Sequence, residues 1–275
     1  MSSSDQGLPR FDRPPVIETV LGVHFRPLEK FTSAHQGLLW DRYFRARFPK
    51  LEERPPIQEV RELFGEERLS VPMIQWQVSD QPPALRLWAA SENGQNVVQI
   101  QKNGLFANWL RTGEGVAYWP YSERRREFSE QLRQVEQFFR EEAIGPLEPT
   151  TWSVTYVNHV DYEGFRKVGP AVAATLTFWT NQSSDNWLPE PDKVALDFTF
   201  PIPDNAGRLN VNLTTAVVLS DKRHVLRLEL TARGQLKTND VASALAGIDL
   251  GHVWIVRGFA SLTRPEMHKE WGRTQ

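Results

Sequence analysis

The chain has 275 residues, 40% of them apolar and 24% charged, with a formal net charge of −2. That length suits one large domain or two small ones, and the balance excludes both the disordered class and a global attraction to nucleic acid or anionic membrane. Cysteine is absent, which removes disulfides, thiolate metal sites and cysteine nucleophiles and fits a reducing cytoplasm.

Residues 1–13 open with a polar Ser/Gly/Pro-rich stretch that lacks the apolar core of a signal peptide, and they are expected to form a disordered tail. No segment approaches the roughly 18 apolar residues of a membrane helix, so a soluble cytoplasmic protein is expected. Pro14-Pro15 then sets an extended start, and Val16 to Phe25 reads as a strand. A helix capped by Thr32 or Ser33 runs to about Phe48, where Pro49 stops it. Residues 49–72 are rich in Pro and Glu and read as an irregular excursion.

The period next changes to two. Ile74, Trp76 and Val78 alternate, followed by Leu85-Leu87-Ala89, Val98-Ile100 and Leu105-Ala107-Trp109. Asn93-Gly94 and Asn103-Gly104 between these runs are hairpin signals, since both residue types tolerate positive φ. Ser122 is placed to cap a helix over 123–143, with Phe128, Leu132, Val135 and Phe139 on one face and Gly145-Pro146 beyond its end.

The second half follows a similar order. Trp152 to Val160 is a strand. Residues 169–179 are ambiguous between helix and strand and tilt to helix. Alternation predicts three more strands over 194–200, 209–213 and 226–230. From Val241 the apolar residues recur at 244/245, 248, 252, 255, 259 and 262, the stripe of one long buried helix. Thr263-Arg264-Pro265-Glu266 then restarts the chain as a short capped helix.

Strand, helix, antiparallel meander and long helix thus occur twice. The predicted fold is α+β, with two tandem halves (14–148 and 149–275), each a curved antiparallel sheet packed on a long helix in a helix-grip-like manner. Gly247, Gly251 and Gly258 cost roughly 1 kcal/mol each in a helix relative to Ala. Their presence predicts close approach of another backbone, either the sheet or a second chain.

Pro14-Pro15-Val16-Ile17-Glu18 at one end, and His252 to Phe259 followed by Thr263, Met267, His268 and Trp271 at the other, resemble a sporadically distributed bacterial family of similar length with no assigned function. The shared pattern is an N-terminal Pro-Pro-Val/Ile-x-Glu and a C-terminal Thr-x-x-x-Met-His-x-x-Trp. Only the two ends carry the likeness. It implies a bacterial cytosolic protein of the kind that accompanies defence or toxin–antitoxin loci, and it implies no catalytic residues.

Catalytic signatures are missing elsewhere too. No glycine-rich loop ends in Gly-Lys-Ser/Thr, no paired histidines have metal spacing, and no Gly-x-Ser-x-Gly elbow occurs. No acidic residue stands two before any of the eight lysines, against a carboxylate-x-lysine nuclease. His252 lies on the apolar stripe and is expected as a core histidine held through one nitrogen. Ten tryptophans are expected mostly in the core. The run Glu123-Arg124-Arg125-Arg126-Glu127 is expected on a solvated face, with a phosphate or partner contact as the alternative. Glu18 interrupts an apolar strand, either as a solvated carboxylate or as a buried partner of Arg257.

Candidate binding residues are therefore Glu18, Arg257, His268 and Trp271, with no catalytic or metal-binding residue and no cofactor. The expected function is a non-enzymatic binding or regulatory module acting through a protein partner or homo-oligomer. The alternative is a binder of a small ligand or nucleotide derivative, with or without catalysis, using the cleft between sheet and long helix. Nucleic acid is disfavoured and no membrane contact is expected.

Overall fold

A computed structural model describes residues 7–62, 64, 85–113, 115–162, 167–180 and 187–275. The strand predicted around Ile74 to Val78 lies outside them. The strands are β1 (Val16–Phe25), β2 (Lys50–Arg54), β3 (Arg86–Ala90), β4 (Asn96–Gln101), β5 (Gly104–Leu110), β6 (Pro149–Asp161), β7 (Ala195–Ile202), β8 (Gly207–Val217) and β9 (His224–Gln235). The helices are α1 (Ser33–Leu39), α2 (Tyr121–Glu141), α3 (Val168–Thr175), α4 (Val241–Leu262) and α5 (Pro265–Glu270).

All nine strands form one antiparallel sheet in the order β2-β3-β4-β5-β1-β6-β9-β8-β7. The protein is thus α+β around a single large sheet. Its centre is the pairing of β1 with β6, where Leu21 stands opposite Val154 and Thr19 opposite Tyr156. On one face Phe25 of β1 meets Phe139 of α2 edge-on at 5.8 Å, and α4 packs across β6 and β9. Leu21, Val23, Phe128, Leu132, Val154, Leu230 and Ile248 are buried in this layer. Among the described residues no helix is long and apolar enough to cross a membrane.

The glycines of α4 show why its packing is close. A Cβ on Gly247 would run into the Trp152 indole, one on Gly251 would lie 2.6 Å from Trp152 Cζ3, and one on Gly258 would lie 2.7 Å from Leu209 Cδ2. The neighbour is the chain's own sheet. Asp240 caps this helix through Ser243 N at 2.7 Å.

The opposite face is crossed by an extended segment that begins after β2. Ile57 exchanges two 2.9 Å hydrogen bonds with the Gln101 side chain. Thr150 Oγ1 donates to Glu59 at 2.7 Å, and Glu62 accepts from Arg208 at 2.6 Å and from Arg233 Nε at 2.5 Å. One strap therefore touches β4, β6, β8 and β9. The excursion predicted over 49–72 is irregular here, although its first residues pair with β3 as β2.

Several local expectations are corrected. The helix predicted to reach Phe48 is α up to Leu39 and then a π-turn over Trp40–Phe44, closed by Arg45 N bonding Trp40 O at 2.8 Å. The N-cap of α2 is Pro120, not Ser122. Thr263 ends α4, and Arg264 is the N-cap of α5. Gly94 takes a positive φ of 70° as a hairpin glycine should. The hairpin predicted at Asn103-Gly104 also forms, with Gly104 as the first residue of β5 opposite Gln101 and without a positive φ. Residues 7–13, expected within a disordered tail, pair with the chain's other end: Asp12 N bonds Gly272 O and Arg13 N bonds Trp271 O, both at 3.0 Å.

Candidate functional site

Because α2 and α4 lie on the same sheet face and the N-terminal strap passes to the C-terminus, a hollow of about 600 Å³ is left above the β1–β6 pair. Its floor is Val16, Tyr156 and Asn158, and Ile255, Val256 and Phe259 of α4 form an apolar wall. Phe11 of the strap packs edge-on against Phe259 at 5.7 Å. Tyr118, Pro120 and Tyr121 close the side nearest α2. The volume lies within the roughly 300–1,000 Å³ usual for small-molecule sites, and an apolar lining with few polar groups is their usual character.

The polar groups form one connected network. Arg124 is the only buried lysine or arginine among the described residues. Its guanidinium donates to Trp119 O at 3.2 Å, to Thr19 Oγ1, to Tyr118 OH at 3.3 Å and to Tyr156 OH at 2.9 Å. Tyr118 also donates to Tyr156 at 3.3 Å. A phenol has one proton, so Tyr156, accepting from both, directs its own to His252 Nδ1 at 3.0 Å. The Tyr121 ring stacks on His252 with centroids 3.7 Å apart and planes 7° apart. Tyr121 OH donates to Asp249 at 2.5 Å, and Arg125 grips both oxygens of Asp249 at 3.1 and 3.0 Å.

Electrostatics keep the phenols protonated. Burial, then neighbouring Tyr118, pushes Tyr156 well above the usual tyrosine range against the opposing pull of Arg124. Burial, and next the charge of Asp249, pushes Tyr121 up as well. Both hydroxyls therefore act as hydrogen-bond donors at neutral pH, not as bases. Their protons go to His252 and Asp249, so the hydroxyl able to turn to a bound molecule is that of Tyr118, whose bond to Tyr156 is 3.3 Å long. Among the described residues no group of three or more His, Asp or Glu is placed to hold a metal ion.

The residues singled out from sequence occupy different places. Glu18 is half-buried on the opposite sheet face, where Asn108 Nδ2 donates to it at 2.6 Å. Arg257 is exposed on α4 and makes no ion pair among the described residues. The expected alternative of a Glu18–Arg257 pair does not form, because alternation and one bulge put Glu18 behind the sheet. His268 and Trp271 are buried beside the strap. Thr263 donates to Phe259 O at 2.7 Å and so accepts from His268 Nε2 at 2.8 Å, while Arg273 donates to Nδ1 at 3.1 Å. That makes His268 neutral, in line with a pKa lowered first by burial and then by Arg273. Trp271 packs on Phe259 at 5.1 Å, one layer behind the cavity wall.

Arg124, Tyr118, Tyr121 and Tyr156 were not among the predicted site residues. Arg124 was expected on a solvated face, yet the stripe Phe128, Leu132, Val135 extended one turn back falls on positions 121 and 124. The signal was therefore present in the helical period. His252 is a buried histidine bonded through Nδ1, as expected, and it also lines the cavity.

No family model and no curated protein matches the chain. Among solved structures, it is similar to DynU16, a protein in the dynemicin biosynthetic locus, with 16% identity over 67% of this chain and 77% of that one and a TM-score of 0.24.

Proposed function

We propose that the protein binds a small molecule in the hollow between α2, α4 and the central β1–β6 pair. One observation carries this reading: about 600 Å³ of space stands beside hydroxyls held in place by a buried arginine, with an apolar wall of Ile255, Val256 and Phe259 on one side. The neutral fluorophore 1-anilinonaphthalene should bind the native protein with enhanced emission. Val256→Trp, which adds bulk to one wall, should abolish that binding with the circular dichroism unchanged. Equal binding by both proteins, or none by either, refutes the reading.

A second reading, a surface for a protein partner or another copy, is favoured by the outer strand β7. Phe178, Phe198 and Phe200 line up there with centroids 4.8 and 6.4 Å apart, and Phe178 and Phe200 are exposed. Association that grows with concentration in sedimentation, and is lost in Phe200→Ser, supports it; a monomer at all concentrations opposes it. This reading also suits the cytoplasmic defence-linked setting that the resemblance of Pro14–Glu18 and Thr263–Trp271 to the bacterial family implies.

The chain is further read as two helix-grip-like halves, 14–148 and 149–275, joined edge to edge. Support comes from the shared order of events. In each, a first strand is followed by a short helix, a meander whose last strand returns beside the first, and a long helix.

A further inference from the structure

We infer that the ligand of this cavity is an organic acid, an apolar body carrying one anionic head group that accepts a hydrogen bond from the Tyr118 hydroxyl beside Arg124. This rests on the reading of the cavity as a ligand site. Moving a cation from water into a protein interior costs several kcal/mol unless an opposite charge or a full set of hydrogen bonds offsets it. Arg124 is 5% exposed, and every partner it has among the described residues is a neutral oxygen: one carbonyl and three hydroxyls. Two nearby carboxylates already have partners of their own. Asp249 is held by Arg125 at 3.0 Å, and Glu127 by Arg47 at 2.9 Å. At the exposed rim Arg10 and Asp12 both line the opening and cancel.

Behind the Tyr118 and Tyr156 side of the cavity there is therefore one buried positive charge that is hydrogen-bonded but has no carboxylate partner among the described residues. Two further features point the same way. Arg124 donates to Tyr118, so this hydroxyl is polarised to donate onward, and charge-assisted hydrogen bonds to an anion are roughly twice as strong as neutral ones. The Tyr118–Tyr156 bond is long at 3.3 Å, so Tyr118 gives up little by turning its proton to a ligand. The first turn of α2 also opens here, with Pro120 as an N-cap that makes no side-chain cap, and its positive dipole end adds to the field of Arg124. The wall of Ile255, Val256, Phe259 and Phe11 requires the rest of the ligand to be hydrocarbon or aromatic.

The test compares 8-anilinonaphthalene-1-sulfonate with 1-anilinonaphthalene, two fluorophores that differ only by the sulfonate. The native protein should bind the sulfonate tighter by about tenfold, the worth of a hydrogen bond to a charged group. Tyr118→Phe and Arg124→Gln should bring the two affinities within about twofold of one another, because the sulfonate loses its advantage over the neutral probe. Tyr118 is only half-buried, so Tyr118→Phe decides the matter should Arg124→Gln not fold. A preference that survives in Tyr118→Phe, or sulfonate binding that persists in Val256→Trp, overturns the inference. Equal affinities in the native protein overturn it while leaving the ligand site standing. Failure of the neutral probe to bind removes the site itself.

Discussion

At the scale of single residues, Thr263 and His268 show how a short motif does structural work. One hydroxyl donates backward to the last turn of α4 and accepts from an imidazole in α5, which ties two helices across a sharp corner. Replacing Thr263 by Val leaves the Nε2–H of His268 buried without an acceptor, which should lower stability by about 1–3 kcal/mol. Thr263→Ser, which keeps the oxygen, should cost well under half of that; equal midpoints in urea for Val and Ser would refute the account. His268 and Trp271 were legible as special residues in the sequence. Their role was not, because a histidine that anchors a corner and one that meets a ligand share the same local pattern. Arg124 is the opposite case. Charge alone sent it to the surface, whereas its position on the α2 stripe put it in the interior.

Among the elements, α4 is the one whose sequence came closest to specifying its packing. Its three glycines predicted close approach of another backbone; what approaches is side chains, Trp152 of β6 at Gly247 and Gly251 and Leu209 of β8 at Gly258. Gly247→Ala should destabilise the protein despite the roughly 1 kcal/mol gain in helix propensity, because overpacking against a locked indole costs about 1–3 kcal/mol. Trp152→Leu should restore much of the loss when combined with Gly247→Ala, a coupling that a double-mutant cycle in denaturant measures. Simple additivity of the two would show that the helix sits elsewhere. The element read least well is β2, since Lys50-Leu51-Glu52-Glu53-Arg54 has no period-two pattern. It is an outer strand with both faces largely wet, so burial imposed no alternation on it.

For the molecule as a whole, the strap behind the sheet links distant strands through Glu62. Burial opposes ionisation of Glu62, but the bonds from Arg208 and Arg233 win and lower its pKa from the ordinary 4.5. Its contribution is thus present above about that value and lost as pH falls through the folded-state pKa. His24 and His268 are also lowered, chiefly by burial, from an ordinary 6.5. The unfolded chain takes up their protons first as pH drops, so they too favour folding above 6.5 and oppose it below. Thermal midpoints should therefore fall from pH 7.5 to 5.5 and again below 4.5, and Glu62→Gln should flatten only the lower limb. A midpoint that stays level from pH 7.5 to 4 would contradict both assignments.

By itself the sequence determined the α+β class, the strands with strict alternation and the full extent of α4, because helix and strand periods follow from which side chains must leave water. Only the tertiary structure decided that the described strands share one sheet, that residues 7–13 fold back on the C-terminus, and that a hollow backed by the buried Arg124 lies between α2 and α4. Backbone hydrogen bonds are alike for every residue, so local pattern cannot name the partner of an edge. A cavity is likewise set by the distance between elements, which no single segment encodes.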